Sequence, residues 1–208
     1  MNKTDSLEQF LQAVAARAAT PGGGSVSAFA CSVGAALGCM TAHFSLPKSD
    51  TTPGVMSCGF ESVGQRMLQA VFDDAAAYDL LAAAFKLPKG TEEEKARRLS
   101  AIDAGSRAAA EVPLAGLRMA REILAGIAEL AENFNKNLAT DLSVGAIMTA
   151  AGARGLRLNV AVNLDGIADR GERARLAKEA AELEKACLAL EKEVLAKIWV
   201  SKRKRARS

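Results

Sequence analysis

The sequence contains little of what β-sheets require. Aromatic residues make up only 4% of its 208 positions, and runs in which β-branched or aromatic residues alternate with polar ones are nearly absent. There are only five prolines, whereas alanine, leucine and long charged side chains, which lose little conformational freedom in a helix, are abundant. The composition therefore predicts an all-α fold.

Metal-binding patterns are also missing. The four cysteines occur at no metal-ligand spacing, and the sequence has one histidine, His43, to complement them. We therefore expect no metal site and interpret the cysteines as reduced, mostly buried thiols. His43 lies near the end of an apolar segment, where a hydrogen-bonded structural histidine is a more common arrangement than a general base.

The sequence lacks a strong charge of either sign. The formal net charge is +3, and much of it comes from Lys202, Arg203, Lys204 and Arg205. So small a charge does not favour a nucleic-acid-binding protein. The first residues show no positively charged region followed by an apolar core and a cleavage site. We therefore expect a cytoplasmic protein that binds neither nucleic acid nor membrane, with a flexible basic tail at residues 201–208.

Helical periodicity extends along the chain without the shift in composition that would mark a second domain. We therefore predict one domain, residues 1–208, that forms a bundle of about six or seven helices. Residues 25–46 carry no formal charge and are long enough to span a bilayer. They consist largely of small residues with poor membrane transfer energies, so a central buried helix is the favoured interpretation.

Local signals predict several helix ends. Thr91 and Glu94 fit a capping box at the start of one helix. Pro113 occurs where a first helical turn would tolerate it, which predicts a separate helix from there to Leu130. Further helices are expected at about residues 139–163 and 168–200.

The sharpest local motif is a glycine turn between the first two predicted helices. It reads Thr20-Pro21-Gly22-Gly23-Gly24-Ser25. Such a turn presents unhindered backbone N–H groups at a helix N-terminus, which can bind an anion or a carbonyl group. Glycines also simply form turns, so the motif by itself leaves a structural role open.

Three aspartates are candidates for acid–base chemistry. Asp73 and Asp74 are adjacent in a predicted helix, so their side chains point about 100° apart and at most one faces the interior. Asp74 lies one turn before Tyr78. A carboxylate directed inward has a raised pKa and can exchange protons near neutrality, whereas two solvated surface acids are the alternative. Asp141 follows a polar loop containing Asn137, where it is either a functional acid or a helix N-cap.

Two asparagines of a later helix, Asn159 and Asn163, lie one turn apart on the same face. Their amides could bind the donor and acceptor edge of a heterocycle, and they could equally hold neighbouring helices together.

These motifs occur in one order along nearly the whole chain, and together they resemble a known enzyme family. The segments are the glycine turn, Phe72-Asp73-Asp74 with Tyr78-Asp79, Leu87-Pro88-Lys89, Val112-Pro113-Leu114, Asn137 with Thr140-Asp141, and Asn159-Val160-Ala161-Val162-Asn163. In this order they resemble the cyclodeaminase domain of formiminotransferase-cyclodeaminase and the free-standing methenyltetrahydrofolate cyclohydrolases.

The resemblance implies an all-helical homodimer that acts on a tetrahydrofolate derivative and needs no further cofactor. Its first expectation is hydrolysis of methenyltetrahydrofolate to formyltetrahydrofolate. The alternatives are a formiminotetrahydrofolate cyclodeaminase that releases ammonia, and a non-catalytic binding or assembly protein on the same scaffold. The implied acids are Asp73, Asp74 and Asp141, with Asp74 or Asp141 as the base. The implied substrate-binding residues are Pro21, Gly22, Gly23, Gly24, Ser25, Lys48, Tyr78, Asn137, Asn159 and Asn163.

Two departures from the family pattern leave substrate details open. Where relatives tend to carry a Gly-Lys-Lys-like run, this chain has Leu46-Pro47-Lys48-Ser49-Asp50, which retains a single lysine. Where relatives tend to follow the late aspartate with Ala-Gly, this chain has Leu142-Ser143.

Overall fold

A computed structural model describes residues 4–45 and 51–205, with side chains described at 4–45 and 59–199. Within these ranges the chain forms six α-helices and no strand, which confirms the all-α prediction. Lys48 and the side chains of the basic tail lie outside the described residues. The helices are α1 (Leu7–Ala15), α2 (Gly23–Ser45), α3 (Thr51–Phe85), α4 (Glu92–Leu130), α5 (Ala139–Asn163) and α6 (Arg170–Arg205). Short 3-10 turns at Lys136–Leu138 and Leu164–Gly166 flank α5.

The central helix of the bundle is α4, which packs against α2, α3, α5 and α6. Its start is fixed by the predicted capping box: the Thr91 hydroxyl accepts from the Glu94 N–H, and the Glu94 carboxylate accepts from the Thr91 N–H. Half of the largest fully buried side chains come from this helix. They include Leu114, Leu117, Ile123, Leu124 and Ile127, all fully buried.

The prediction that Pro113 opens a new helix is wrong, because α4 is continuous through it. Proline has no N–H, so the Ala109 carbonyl four residues earlier loses its helical donor. The Asn163 side chain at the end of α5 replaces that donor, with its Nδ2 atom 2.9 Å from the Ala109 oxygen. A helix tolerates an internal proline when another group satisfies the freed carbonyl in this way.

The two helices richest in small residues, α2 and α5, run antiparallel in close contact. A Cβ atom on Gly152 of α5 would lie 2.5 Å from the Ser27 carbonyl oxygen of α2. One on Gly34 of α2 would lie 2.7 Å from the Gly145 carbonyl oxygen of α5. No side chain fits at either position, so the glycines allow the two backbones to touch.

Of the helices in the described ranges, one, Gly23–Ser45, is long and apolar enough to cross a membrane by length and composition. In the fold this helix, α2, packs against α3, α4 and α5. It buries the polar side chains of Ser25, Ser27 and Thr41 in those contacts. On its outward-facing side, Val26 and Phe44 are exposed among the residues that the structure describes.

We predict that Asn163 and Pro113 are energetically coupled. Asn163→Ala should lower the free energy of unfolding by about 1–3 kcal/mol, because it leaves the Ala109 carbonyl without its donor. In a Pro113→Ala background the restored N–H of residue 113 bonds that carbonyl, so the same substitution should cost much less. Urea unfolding of the four proteins of this cycle measures the coupling. Additive effects would show that Asn163 does not compensate for the proline.

Candidate functional site

The glycine turn and Asp74 meet at one end of the bundle, as the functional interpretation of both motifs requires. Ser25, in the first turn of α2, is fully buried. Its hydroxyl donates to Oδ2 of Asp74 on α3 and to the carbonyl oxygen of Val71, with both distances 2.9 Å. Residues that are 49 positions apart in the sequence are thereby joined.

Glycine is required at position 24 by this contact. A Cβ atom on Gly24 would lie 2.6 Å from Cγ of Asp74, which is inside van der Waals contact. None of the glycines in the described ranges has a positive φ, so glycine is not needed at position 24 for its backbone conformation. It is needed because a side chain would not fit beside Asp74. The Thr20–Pro21 peptide before the turn is cis, and Pro21 is buried.

The start of α2 offers free hydrogen-bond donors beside Asp74. The first helical bond runs from the Val26 N–H to the Gly22 carbonyl. The backbone N–H groups of Gly23 and Gly24 therefore precede the hydrogen-bonded ladder and remain for a ligand. A helix N-terminus also carries partial positive charge, which favours a carbonyl oxygen or an anion at this point.

Asp73 and Asp74 differ in environment, as their angular separation predicts. Asp73 is exposed and accepts from Nε2 of Gln69 at 2.9 Å. Burial raises the pKa of the Asp74 carboxyl above its usual range, and hydrogen bonds from Ser25 offset part of this effect. Asp74 has no ion-pair partner among the described side chains. Asp74 is therefore the member of the pair whose protonated form is favoured by its surroundings and which lies beside the glycine turn.

Asn159 of α5 joins the same region. Its Nδ2 atom lies 3.7 Å from the position of a Cβ on Gly23, and it donates to the Gly155 carbonyl at 2.8 Å. No described residue donates to its side-chain oxygen, which leaves that acceptor for a ligand. We call Gly23, Gly24, Ser25, Asp74 and Asn159 the glycine-turn cluster.

Two of the predicted substrate-binding residues, Asn163 and Tyr78, are not part of the glycine-turn cluster. Asn163 donates to the carbonyl oxygens of Ala109 and Asn159, so its amide holds α4 and α5 together. This is the structural alternative that the sequence left open. Tyr78, one turn beyond Asp74, is 44% exposed.

Asp141 lies at the opposite end of the molecule. It is in the first turn of α5, and the cap position is occupied by Leu138 without a side-chain hydrogen bond, so the alternative of an N-cap is wrong. Asn135 caps the preceding 3-10 turn, and Asn137 is exposed within that turn. We call Asn135, Asn137 and Asp141 the α5-start cluster.

The two clusters are well separated within one chain. Asp141 and Asn159 are eighteen positions apart on the same helix. At 1.5 Å per residue this places them about 27 Å apart. The order of motifs in the sequence could not reveal this separation, because it gives no distances.

A groove between α2 and α3, which the sequence did not predict, begins beside the glycine-turn cluster. It has a volume of about 460 Å³, which is within the range for small-molecule sites. Phe29, Phe60 and Leu68 form apolar walls, and His43 and Glu61 supply polar groups farther along. Phe29 lies one turn beyond Ser25. No three His, Cys, Asp or Glu side chains come together to hold a metal ion in the part of the chain that the structure describes.

Comparisons with known proteins identify the family. Residues 6–182 match the formiminotransferase-cyclodeaminase family. The chain belongs to this family. It is 35% identical to a methenyltetrahydrofolate cyclohydrolase from Methylorubrum extorquens, over 82% of this chain and 84% of that protein. It is 39% identical to the formimidoyltransferase-cyclodeaminase of Gallus gallus, over 80% of this chain but only 32% of that protein.

A solved structure shares the fold. The crystal structure of formiminotetrahydrofolate cyclodeaminase from Thermotoga maritima superposes with a TM-score of 0.83 and 26% sequence identity. The match covers 94% of this chain and 96% of that one. The resemblance based on six motifs is thus confirmed over most of the chain.

We predict opposite outcomes for alanine at two neighbouring glycines. Gly24→Ala should lower the free energy of unfolding by about 1–3 kcal/mol, because the new methyl group displaces the Asp74 carboxylate or shifts the backbone. Gly23→Ala, the matched control, makes an ordinary contact with Asn159 and should change stability by less than about 1 kcal/mol. Denaturant unfolding measures both. Equal losses would mean that the close contact with Asp74 is not maintained in solution.

Proposed function

We propose that the protein is a methenyltetrahydrofolate cyclohydrolase, which hydrolyses methenyltetrahydrofolate to formyltetrahydrofolate. The observation that carries this proposal is the Asp74 carboxyl, half-buried against the glycine turn with a raised pKa and without a described cationic partner. The substrate is a flat cation, and a carboxylate that lacks a cation of its own is suited to receive it. The relative whose length this chain nearly matches bears the name of this activity.

In the proposed reaction Asp74 acts as the general base. It takes a proton from water as the oxygen attacks the bridging carbon of the cationic ring. The bond from that carbon to one ring nitrogen then breaks, and this nitrogen receives a proton. The new hydroxyl gives up its remaining proton to solvent and becomes the carbonyl of the formyl group, which stays on the other nitrogen. One proton is released overall, which accounts for the loss of the substrate's positive charge. A carboxyl whose pKa is raised by burial holds a proton more readily than a solvated one, so it can accept the proton from water and return it. Water is the only co-reactant.

Substrate binding is proposed to use the remaining groups of the glycine-turn cluster. The N–H groups of Gly23 and Gly24 suit a carbonyl oxygen, and the side-chain oxygen of Asn159 suits an N–H of the pterin edge. The groove between α2 and α3 is large enough for an aromatic part of the substrate and has the apolar walls that such a ring requires.

A formiminotetrahydrofolate cyclodeaminase is the second candidate. The solved structure with a TM-score of 0.83 bears this name. In that reaction a substrate nitrogen attacks the formimino carbon and ammonia leaves. Asp74 could protonate the departing nitrogen, since burial raises its pKa and favours its protonated form. Assaying one preparation with both folates distinguishes the two activities.

A non-catalytic scaffold is disfavoured by the same carboxyl. Burying Asp74 without a cation favours its neutral form, so the ionised group opposes folding at neutral pH. A protein selected only for assembly would be more stable with an uncharged residue at this position.

The protein is also proposed to act as a homodimer. Six large apolar side chains on α2 and α5 are between 38% and 70% exposed, whereas the apolar side chains of the core are buried. Helices with this composition are commonly covered by another subunit.

We predict that Asp74→Asn lowers kcat by about a hundredfold or more, as expected for loss of a positioned base. The asparagine oxygen can still accept from Ser25 and no charge is buried, so stability at neutral pH should not fall. Asp73→Asn, the matched control one residue away on the exposed side, should retain activity within a few-fold. The reaction is followed by loss of methenyl absorbance, with the spontaneous rate subtracted. An Asp74→Asn protein with the wild-type rate would exclude Asp74 as the base.

The pH dependence provides a separate prediction. Because the base must be ionised, kcat/KM should rise with pH and level off above the raised pKa of Asp74. Stability should follow the opposite course. The folded protein holds the Asp74 proton more tightly than the unfolded chain, so stability contributed by this group falls as pH rises from about 4 through the folded pKa. Both trends should be absent in Asp74→Asn. A rate that declines over the same interval would assign an acid, not a base, to this step.

A further inference from the structure

The Ser25 hydroxyl is bonded differently from other buried hydroxyls of α2 and α5. Four of these donate to the carbonyl oxygen four residues earlier in their own helix, namely those of Ser27, Thr41, Ser143 and Thr149. The Ser25 hydroxyl instead reaches α3, where the Val71 carbonyl oxygen and Oδ2 of Asp74 each lie 2.9 Å from its oxygen. It therefore has two acceptors on a neighbouring helix and is buried between them.

A hydroxyl carries one proton, so Ser25 can donate to only one of these two oxygens at a time. The two arrangements differ by a rotation about the Cβ–Oγ bond of the serine. The Val71 carbonyl lies within α3, and its second lone pair can accept this proton in addition to a helical bond. The protonation state of Asp74 decides which acceptor is the better one.

Both protonation states of Asp74 can be satisfied by this one hydroxyl. When Asp74 is ionised, Oδ2 is the stronger acceptor and the hydroxyl donates to it. When Oδ2 carries a proton, its O–H can donate to the Ser25 oxygen, and the hydroxyl proton turns to the Val71 carbonyl. Oδ2 and the Ser25 oxygen then have partners in both states without movement of a heavy atom. A lysine or arginine could not replace the hydroxyl, because these side chains only donate.

We propose that Ser25 is a positioning residue whose hydroxyl switches between Asp74 and the Val71 carbonyl as the carboxyl loses and gains its proton. A base that takes a proton from water and returns it must be accommodated in both forms within one turnover. A donor fixed on the carboxylate would favour the ionised form and oppose protonation. The role in turnover rests on the proposed function, whereas the switch itself concerns only the folded chain.

The charged surroundings of Asp74 leave burial and Ser25 as the influences that shift its pKa. On α3 its titratable neighbours are the exposed Asp73 and Tyr78. The facing residues 23–45 of α2 contain no Asp, Glu, Lys or Arg, and their titratable groups are Cys31, Cys39 and His43. The charged groups on α4, on α5 and before the glycine turn are ion-paired or exposed, and include Arg107, Glu111, Arg118, Arg154, Arg157 and Arg17. A change in the Asp74 pKa on altering Ser25 is therefore attributable to the hydroxyl.

Ser25→Ala tests the switch, and Ser27→Ala is its matched control. The alanine removes the hydroxyl but keeps the backbone N–H of residue 25, which also bonds Asp74. Because the ionised carboxylate loses the stronger bond, its pKa should rise, and the ascending limb of kcat/KM should move up by about one pH unit. On the plateau kcat should fall about tenfold with KM within a few-fold, since protonated Asp74 lacks its acceptor.

The control separates the switch from a general effect of removing a buried hydroxyl. The Ser27 hydroxyl donates to the Gly23 carbonyl and not to Asp74, so Ser27→Ala should leave the limb at the wild-type pH. An unshifted limb in Ser25→Ala would overturn the proposal. So would a rise in KM alone, which would make Ser25 a residue that contacts substrate.

Nuclear magnetic resonance tests the switch without substrate. The carbon-13 shift of the Asp74 carboxyl gives its titration midpoint, with Asp74→Asn identifying the signal. The Val71 carbonyl shift, read through the Phe72 amide, reports the hydrogen bonds that this carbonyl accepts. In the wild type the Val71 carbonyl should titrate with the midpoint of Asp74. In Ser25→Ala the Asp74 midpoint should rise and most of the Val71 change should disappear.

The same spectra distinguish failure of the switch from failure of the proposed function. An equal Val71 change in both proteins would overturn the switch, because the carbonyl would then respond to the charge of Asp74 alone. A wild-type protein that is inactive on both folates but gives the expected titrations would reject the proposed function and retain the switch.

Discussion

The close approach of α2 to α3 and α5 is the constraint on which both the packing of the bundle and the geometry of the glycine-turn cluster depend. Glycines at the contacts with α5 leave no room for a Cβ atom, so the two backbones touch near Ser27 and near Gly34. At its first turn the same helix comes so near α3 that only glycine fits beside the Asp74 carboxylate. Packing and site geometry therefore share one constraint, which is that glycines of α2 lie too close to the neighbouring helices for a side chain to fit.

The Asp74 carboxyl illustrates how stability and function oppose each other at this contact. The Ser25 hydroxyl and backbone hydrogen-bond the carboxyl, which favours its ionised form, while burial favours the neutral form and is the larger effect. A structural aspartate in such a position would be expected beside Lys or Arg, yet the ion pairs of the described side chains lie elsewhere. Retaining an unpaired acid is understandable where a cationic substrate supplies the missing charge.

The sequence predicted local features well and distant contacts poorly. Helix composition, the Thr91 capping box and the inward direction of Asp74 follow from short-range rules of propensity and angular spacing. Pro113 was mispredicted because the group that satisfies the Ala109 carbonyl, Asn163, comes from 54 positions away. The groove between α2 and α3 could not be predicted, since it is formed by the packing of two helices whose register the sequence does not reveal.

The α5-start cluster and the glycine-turn cluster lie far apart within one chain. The order of the motifs along the sequence therefore does not show that they form a single site. When consecutive helices run antiparallel, motifs that lie at successive helix ends alternate between the two ends of the bundle. The uncharged α2, which passes a test of length and composition for crossing a membrane, is covered on its inner sides by α3, α4 and α5 and on its outer side by the proposed second subunit.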